Sequence, residues 1–139
     1  MTVIDTHQHR WDLGKFEYRW IQPGSILARN YLTDEALRAM QSGAVDLCVL
    51  VEAGTNRAEE LDWFLDMAHQ HAHVAGVVGY IDLTGDVPAA LAAIHPDHRR
   101  HLKGVRIGIM DPAADLAALE PGLSVLALQH LTCDLLIRR

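Results

Sequence analysis

The sequence predicts an α/β protein with a parallel sheet, because short apolar segments alternate along the chain with segments of helical periodicity. Residues 47–51 are continuously apolar, which is typical of a strand covered on both faces. With 139 residues, of which 50% are hydrophobic, the chain is long enough to bury one sizeable core. No low-complexity linker divides it, so we expect residues 1–139 to belong to a single domain.

Five strands and the helices between them follow from the spacing of apolar residues. We predict strands at 3–7, 47–51, 74–81, 104–107 and 131–136. Helices are predicted to begin at Thr33 or Asp34, which offer a cap and acidic first-turn residues, and to cover 58–71 and 87–94. Beyond strand four, Asp111-Pro112 begins a short helical segment, Pro121-Gly122 interrupts it, and 123–130 is again helical.

Two histidines one residue apart follow the first strand. Because side chains alternate between the faces of a strand, His7 and His9 should project the same way. Two imidazoles that converge can hold one divalent metal ion or polarise one substrate oxygen. The alternative is a pair of surface imidazoles in the loop after the strand.

Two charged residues lie at or near the ends of other predicted strands. Glu52 follows strand two and could be a metal ligand, a base, a substrate contact or simply a solvated strand end. Arg106 lies between Val105 and Ile107 within strand four, where an unpaired guanidinium would be costly. We expect it to bind an anion, and we favour the substrate over a neighbouring carboxylate because its donors form a fixed fork.

The remaining histidines and the cysteines favour ordinary structural roles. His69 and His73 have the spacing of two ligands on one helix face, but they fall near a helix end, where such side chains are common. We expect the polar segment 95–101 to be a solvated connection between two elements. Cys48 and Cys133 fall within predicted strands and are expected to be reduced, buried thiols.

Charge and hydropathy exclude several kinds of partner. The formal net charge of −6 and the isoelectric point near 5.8 disfavour binding to nucleic acid or to anionic membranes. No apolar run approaches the roughly 18 residues of a membrane span, and no secretory leader is evident. We therefore expect a cytoplasmic protein that acts on a small-molecule substrate.

Several of these segments together resemble the amidohydrolase superfamily, and within it the amidohydrolase-2 group that includes sugar-lactone hydrolases. The resembling segments are Ile4-Asp5-Thr6-His7-Gln8-His9 with Trp11-Asp12, then 46–52, then Leu102-Lys103-Gly104-Val105-Arg106. The resemblance implies a TIM (β/α)8-barrel of the metal-dependent hydrolase type, which has roughly 250 residues. About five βα units then make an incomplete barrel, the amino-terminal part of a larger enzyme. We expect self-association through its uncovered edges.

The resemblance also implies a reaction, the hydrolysis of a sugar-lactone-like cyclic ester. His7 and His9 would polarise the lactone carbonyl or hold a divalent metal, with zinc the first choice. Glu52, Arg106 and Trp20 would contact the substrate, and an aspartate from a later strand would be the general base. The group also contains lactone hydrolases without a tightly held metal, so a metal-independent reaction stays open. This chain alone is expected to be inactive.

Two alternatives remain at this point. The same fold, histidines and metal could carry out a nonoxidative decarboxylation, which product analysis on carboxylated aromatics and on lactones would distinguish. Alternatively, the chain is a noncatalytic partial barrel that acts as an interaction module, because strands one and five would leave unpaired edges.

Overall fold

The computed structural model describes residues 1–111 and 113–137. Its strands are β1 (Ile4–Gln8), β2 (Leu47–Val51), β3 (Val74–Gly79), β4 (Leu102–Ile109) and β5 (Thr132–Ile137). Its helices are α1 (Thr33–Ser42), α2 (Ala58–Gln70), α3 (Val87–Ala93), α4 (Pro96–Arg99) and α5 (Glu120–Leu128), and a 3-10 helix covers Leu116–Leu119.

The five strands form one sheet in the order β1-β2-β3-β4-β5, and each neighbouring pair is parallel. Each strand therefore pairs with the next one along the chain, with helical connections in between. This is the topology of a TIM barrel, in which eight parallel strands close into a ring. The structure confirms the predicted fold class: a half-barrel of five parallel strands.

Several boundaries differ from those predicted by the sequence. β3 ends at Gly79 rather than at 81, and β4 runs from Leu102 to Ile109, well beyond the predicted 104–107. Pro121 does not interrupt a helix, because it occupies the first turn of α5, where its missing N–H costs nothing. The predicted cap of α1 is also wrong, because no side chain caps this helix. The prediction for Pro112 lies outside the described residues.

The core lies between the sheet and the helices. Cys48 and Leu50 of β2 are fully buried, and Phe64 and Leu65 of α2 pack into the same cluster. α5 joins this layer through Leu126, and its Gly122 lies directly against the Leu83 backbone, where a Cβ atom would clash. Cys48 and Cys133 are free thiols, and burial raises the pKa of each. Within the described ranges, no helix combines the length and the apolarity that crossing a membrane demands.

The two outer strands leave apolar surface uncovered. On β5, Leu135, Leu136 and Ile137 are 50%, 43% and 63% exposed, and on the β1 side Ile4 is 46% exposed. β1 and β5 each pair with a neighbour on one side only. Unpaired backbone groups and apolar side chains on an edge strand favour association with another chain.

We expect the purified 139-residue chain to self-associate through these edges. The double variant Leu135→Lys with Ile137→Lys should shift the population towards monomer, because charges on an edge strand oppose pairing. Light scattering across a concentration series measures this shift. The control is Leu128→Lys, which places one lysine at an exposed position on α5 instead of at the edge and is compared with the single variant Leu135→Lys. A wild-type chain that remains monomeric at high concentration would contradict the expectation.

Candidate active site

His7 and His9 come together at the carboxyl end of β1, as the sequence predicted. Their Nε2 atoms are 3.2 Å apart and their rings meet edge to face. The strand is not regular, because two residues stand opposite one of β2 between Asp5 and Gln8. Asp5 stabilises this irregularity by accepting a hydrogen bond from the backbone N–H of His7 at 3.1 Å. The histidine pair is therefore built from local chain geometry.

A backbone carbonyl fixes the orientation of His9. Its Nδ1 lies 3.0 Å from the carbonyl oxygen of Val51, which can only accept, so the proton is on Nδ1. Nε2 is then left with a free lone pair. Burial lowers the pKa of His9, and the neighbouring charges of His7 and Arg106 lower it further. His9 is thus a neutral imidazole with a ligand nitrogen aimed at His7.

Glu52 and Arg106 form the second part of the site. Glu52 follows β2 directly and is 7% exposed, and its Oε1 lies 3.6 Å from Arg106 Nε. Gly54 N donates to Glu52 Oε2 at 2.6 Å. Burial raises the pKa of Glu52, while this hydrogen bond and the charge of Arg106 oppose the rise. Arg106 has a carboxylate for a neighbour, the alternative that the sequence analysis ranked second, and it retains donors for a further anion.

The loop between β1 and α1 forms a wall beside Glu52. Trp20 Nε1 donates to the carbonyl oxygen of Ala53 at 2.6 Å, and its side chain remains 42% exposed. Tyr18 is only 5% exposed and packs with Trp11 and Ala53 in a small second core. Trp20 is therefore available to a bound molecule, whereas Tyr18 belongs to the packing of the loop.

The sequence analysis missed one buried carboxylate. Glu60, in the first turn of α2, is 1% exposed, and its Oε2 accepts from Ala53 N at 3.2 Å. Burial and the nearby charge of Glu52 raise the pKa of Glu60 to about 7. The available signal was its spacing, because Glu60 falls four residues before the buried Phe64, on the apolar stripe of the helix.

Arg10 is a second buried polar residue without a sequence signal. It is 2% exposed, and its Nη1 donates to Gln8 Oε1 at 2.8 Å. Its Nε and Nη2 have no hydrogen-bond partner among the described residues. Burial lowers its pKa. Arg10 thus bonds to Gln8, the residue between the two histidines.

The spacing of His69 and His73 does not produce a ligand pair, because α2 ends at Gln70 and His73 lies beyond the helix. The ring of His69 instead neighbours those of His98 and His101, with centroids 4.8 and 6.2 Å away. His98 Nδ1 lies 3.3 Å from Asp66 Oδ1. These side chains form a polar contact on the outside of the helix layer.

The histidine pair fits two of the ligands of a zinc ion. Two nitrogens 3.2 Å apart, each about 2.05 Å from one ion, subtend an angle of about 100°, near the tetrahedral value. A catalytic zinc site has three protein ligands. Across residues 1–111 and 113–137, no group of three histidine, cysteine or acidic side chains is arranged to hold an ion. The described residues therefore supply two nitrogens with the spacing of zinc ligands but no complete set of three ligands.

A cleft of about 440 Å³ lies beside this site, at the carboxyl ends of β3 and β4. Tyr80, Asp82 and Ile107 contribute to its walls, but His7, His9, Glu52 and Arg106 do not. The histidines and the Glu52–Arg106 pair remain the candidate active site, because their side chains can polarise a substrate, donate hydrogen bonds or accept protons. Tyr80 lines the cleft and is also near the candidate site. Burial raises its pKa most, followed by the charges of Asp82 and Glu52.

A parallel half-barrel with convergent histidines at the end of its first strand defines a class of protein, the amidohydrolase-type barrel. Comparison with known proteins agrees. The chain is 33% identical over 111 residues to the L-fucono-1,5-lactonase of Burkholderia multivorans and 28% identical over 140 residues to that of Burkholderia ambifaria. These matches cover 79% and 96% of this chain, but 36% and 47% of the lactonases.

Solved structures give the same result. A Burkholderia multivorans amidohydrolase with bound zinc superposes with a TM-score of 0.85 at 29% identity, covering 99% of this chain and 49% of that one. A probable 2-pyrone-4,6-dicarboxylic acid hydrolase from Acinetobacter baumannii, with a TM-score of 0.68 at 13% identity, shares the fold. No family model matches the sequence.

The homologues are thus lactonases and amidohydrolases, and the resemblance predicted from the sequence is confirmed. The chain spans about half the length, or less, of the relatives it matches.

The raised pKa of Glu60 predicts how stability depends on pH. The folded state holds this proton more tightly than the unfolded chain, so the stabilisation is present at low pH and is lost as the pH rises from 4.5 through about 7. Glu60→Gln has no ionisable group at this position, so this loss should be absent from the variant. Between pH 4.5 and pH 8, the free energy of unfolding of the wild type should therefore fall by up to roughly 3 kcal/mol more than that of Glu60→Gln.

Denaturant unfolding of both proteins at the two pH values measures the effect. Glu59→Gln is the matched control, because Glu59 is an exposed neighbour whose pKa is lowered by Arg57. Equal pH dependence in the wild type and Glu60→Gln would show that Glu60 ionises normally in the folded protein.

Proposed function

We propose that the protein hydrolyses a sugar lactone, with L-fucono-1,5-lactone as the first substrate to test. The observation that carries the proposal is the juxtaposition of the His7–His9 pair with the Glu52–Arg106 pair at one end of the sheet. The similarity to two lactonases supports it independently. Lactone hydrolysis requires a group that activates the carbonyl, a group that orients the substrate and a base for water.

His7 and His9 would supply the carbonyl-activating end. Because His9 keeps its proton on Nδ1 through Val51, its Nε2 can accept a hydrogen bond or bind a cation. In the arrangement described, His7 Nε2–H donates to His9 Nε2. Binding of an ion by both nitrogens would require His7 to carry its proton on Nδ1 instead. A zinc ion held there would act as a Lewis acid towards the lactone carbonyl.

Arg106 would orient the substrate, and Glu52 would hold Arg106. The guanidinium has five N–H donors, and the contact with Glu52 occupies one edge of it. A lactone carbonyl or a ring hydroxyl can take the rest. Glu52, fixed by Gly54 N, can accept from another hydroxyl of the sugar. The exposed face of Trp20 offers an apolar platform for the sugar ring.

The general base is proposed to come from outside this set. An acid–base group typically contributes 10²- to 10⁴-fold to a rate, so the chain alone should hydrolyse lactones feebly. The family resemblance implies an aspartate from a later strand in this role. The proposal is therefore tested on this chain by binding as well as by turnover.

We expect zinc to bind this chain through His7 and His9. Isothermal titration of zinc into the wild type, His7→Ala and His9→Ala should show at least about a tenfold loss of affinity in each variant, because each removes one of two nitrogen ligands. His130→Asn is the control, because His130 is exposed and its φ of 55° suits asparagine. Affinity unchanged in His9→Ala would place zinc elsewhere, for example among the histidines of α2 and α4.

We expect L-fucono-1,5-lactone to bind beside Arg106. Arg106→Gln should weaken binding by about tenfold or more, since a hydrogen bond to a charged group contributes about 1.5–3 kcal/mol. Lys103→Gln is the matched control, because Lys103 lies on the same strand but is exposed, with Nζ bonded to Arg100. Chemical-shift titration gives the affinities. Equal affinities in both variants, or no binding at all, would refute the proposed site.

A further inference from the structure

The turn between β2 and α2 binds two carboxylates with two consecutive backbone amides. Ala53 N donates to Glu60 Oε2 at 3.2 Å, and Gly54 N donates to Glu52 Oε2 at 2.6 Å. The carbonyl oxygen of Ala53 accepts from Trp20 Nε1 at 2.6 Å. One turn therefore connects a candidate substrate carboxylate, a candidate substrate platform and the buried Glu60.

This turn needs support from outside itself. Gly54 has a φ of +86°, in the left-handed region that favours glycine, and a Cβ atom there would lie 3.3 Å from the Trp20 indole. Glycine contributes no side chain that could fix the turn. The hydrogen bonds of the backbone groups Ala53 N, Ala53 O and Gly54 N restrain the turn, and Glu60 supplies the acceptor for Ala53 N.

The burial of Glu60 is energetically unfavourable. At 1% exposure, a carboxylate costs several kcal/mol to bury, and an apolar side chain would pack with Phe64 and Leu61 on the same helix. Glu60 does not cap its own helix, because its carboxylate reaches back to Ala53. What it provides, and an apolar residue would not, is the acceptor for the turn.

The opposite end of the carboxylate faces the loop. Glu60 Oε1 and Tyr18 Oη are both buried without a hydrogen-bond partner among the described residues, and the two side chains are neighbours. A hydrogen bond between these two atoms would need the side chains to move towards each other, with the Tyr18 hydroxyl as the donor to the carboxylate.

We propose that Glu60 is a positioning residue, which holds the Ala53–Gly54 turn and through it sets Glu52 and Trp20 for substrate. The inference rests on the proposed function, since it concerns the substrate contacts of that site. The support of the turn by Glu60 can be measured without any substrate.

Hydrogen exchange of the ¹⁵N-labelled 139-residue chain tests whether Glu60 supports the turn. Glu60→Leu should speed the exchange of the Gly54 amide and the Trp20 indole N–H by about tenfold or more, which corresponds to about 1.4 kcal/mol. Glu60→Gln should remain within about threefold of the wild type, because its amide oxygen still accepts from Ala53 N. Glu59→Gln, one residue away and exposed, should change nothing.

The Val77 amide reports whether the fold as a whole is intact, because it is fully buried and bonded to His101 O at 2.8 Å. Unchanged exchange at Gly54 and Trp20 in Glu60→Leu, with Val77 still protected, would overturn the proposal. If Val77 also loses protection, Glu60→Gln decides, since it keeps the shape of the side chain and an oxygen that accepts from Ala53 N. The proposal then requires exchange at Trp20 within about threefold of the wild type with Val77 still protected, and faster exchange at Trp20 in this variant overturns it.

Lactone binding separates the two proposals. Glu60→Leu should weaken L-fucono-1,5-lactone binding, Glu60→Gln should restore it, and Glu59→Gln should leave it as in the wild type. If lactones do not bind the wild type, the proposed function fails while the exchange results still decide the role of Glu60. If lactones bind equally well to Glu60→Leu and to the wild type, Glu60 does not position the substrate contacts.

Discussion

The candidate site depends on the pairing of β1 with β2. A hydrogen bond from His9 Nδ1 to Val51 O at 3.0 Å joins the ends of the two strands and determines which nitrogen of His9 is free. The register shift after Asp5 allows this bond, because it adds one residue to β1 before Gln8 pairs with Leu50. If β1 slipped by one residue, His9 would lose this carbonyl, and the Nε2 atoms of the two histidines would no longer converge.

The same strand end also organises the acidic half of the site. Val51 is followed by Glu52, whose backbone N–H continues the ladder to Val78 O at 2.8 Å before the chain turns at Gly54. The Glu52 side chain therefore starts from a fixed backbone position, and Arg106 reaches it from β4, two strands away. A rigid parallel sheet brings together residues that are more than fifty positions apart in the chain, and here the Arg106 side chain spans the remaining distance to Glu52.

Sequence patterns predicted the parts of the structure that repeat. The boundaries of β2 matched, and the convergence of His7 and His9 followed from strand alternation, although that strand contains an irregularity. Side chains whose roles depend on tertiary contacts were not predictable. Glu59 and Glu60 are identical in type and adjacent, yet one is solvated and the other is buried against the turn after β2. Pro121 likewise signals a helix start or a break, and the structure shows a start, with the next residue, Gly122, packed against Leu83.

The proposed metal site has a thermodynamic consequence for a barrel of this class. Two nitrogen ligands alone would hold an ion weakly, and a catalytic zinc site takes at least one more ligand from the protein. If the further ligands come from other strands of a closed barrel, an ion that binds only the closed arrangement stabilises closure, and closure raises the affinity for the ion by the same free energy. The exposed apolar edges of β1 and β5 add a hydrophobic contribution that does not require the ion. Under this proposal, closure of the barrel and completion of the site would be one coupled equilibrium, to which the sheet contributes apolar surface and the histidines contribute ligands.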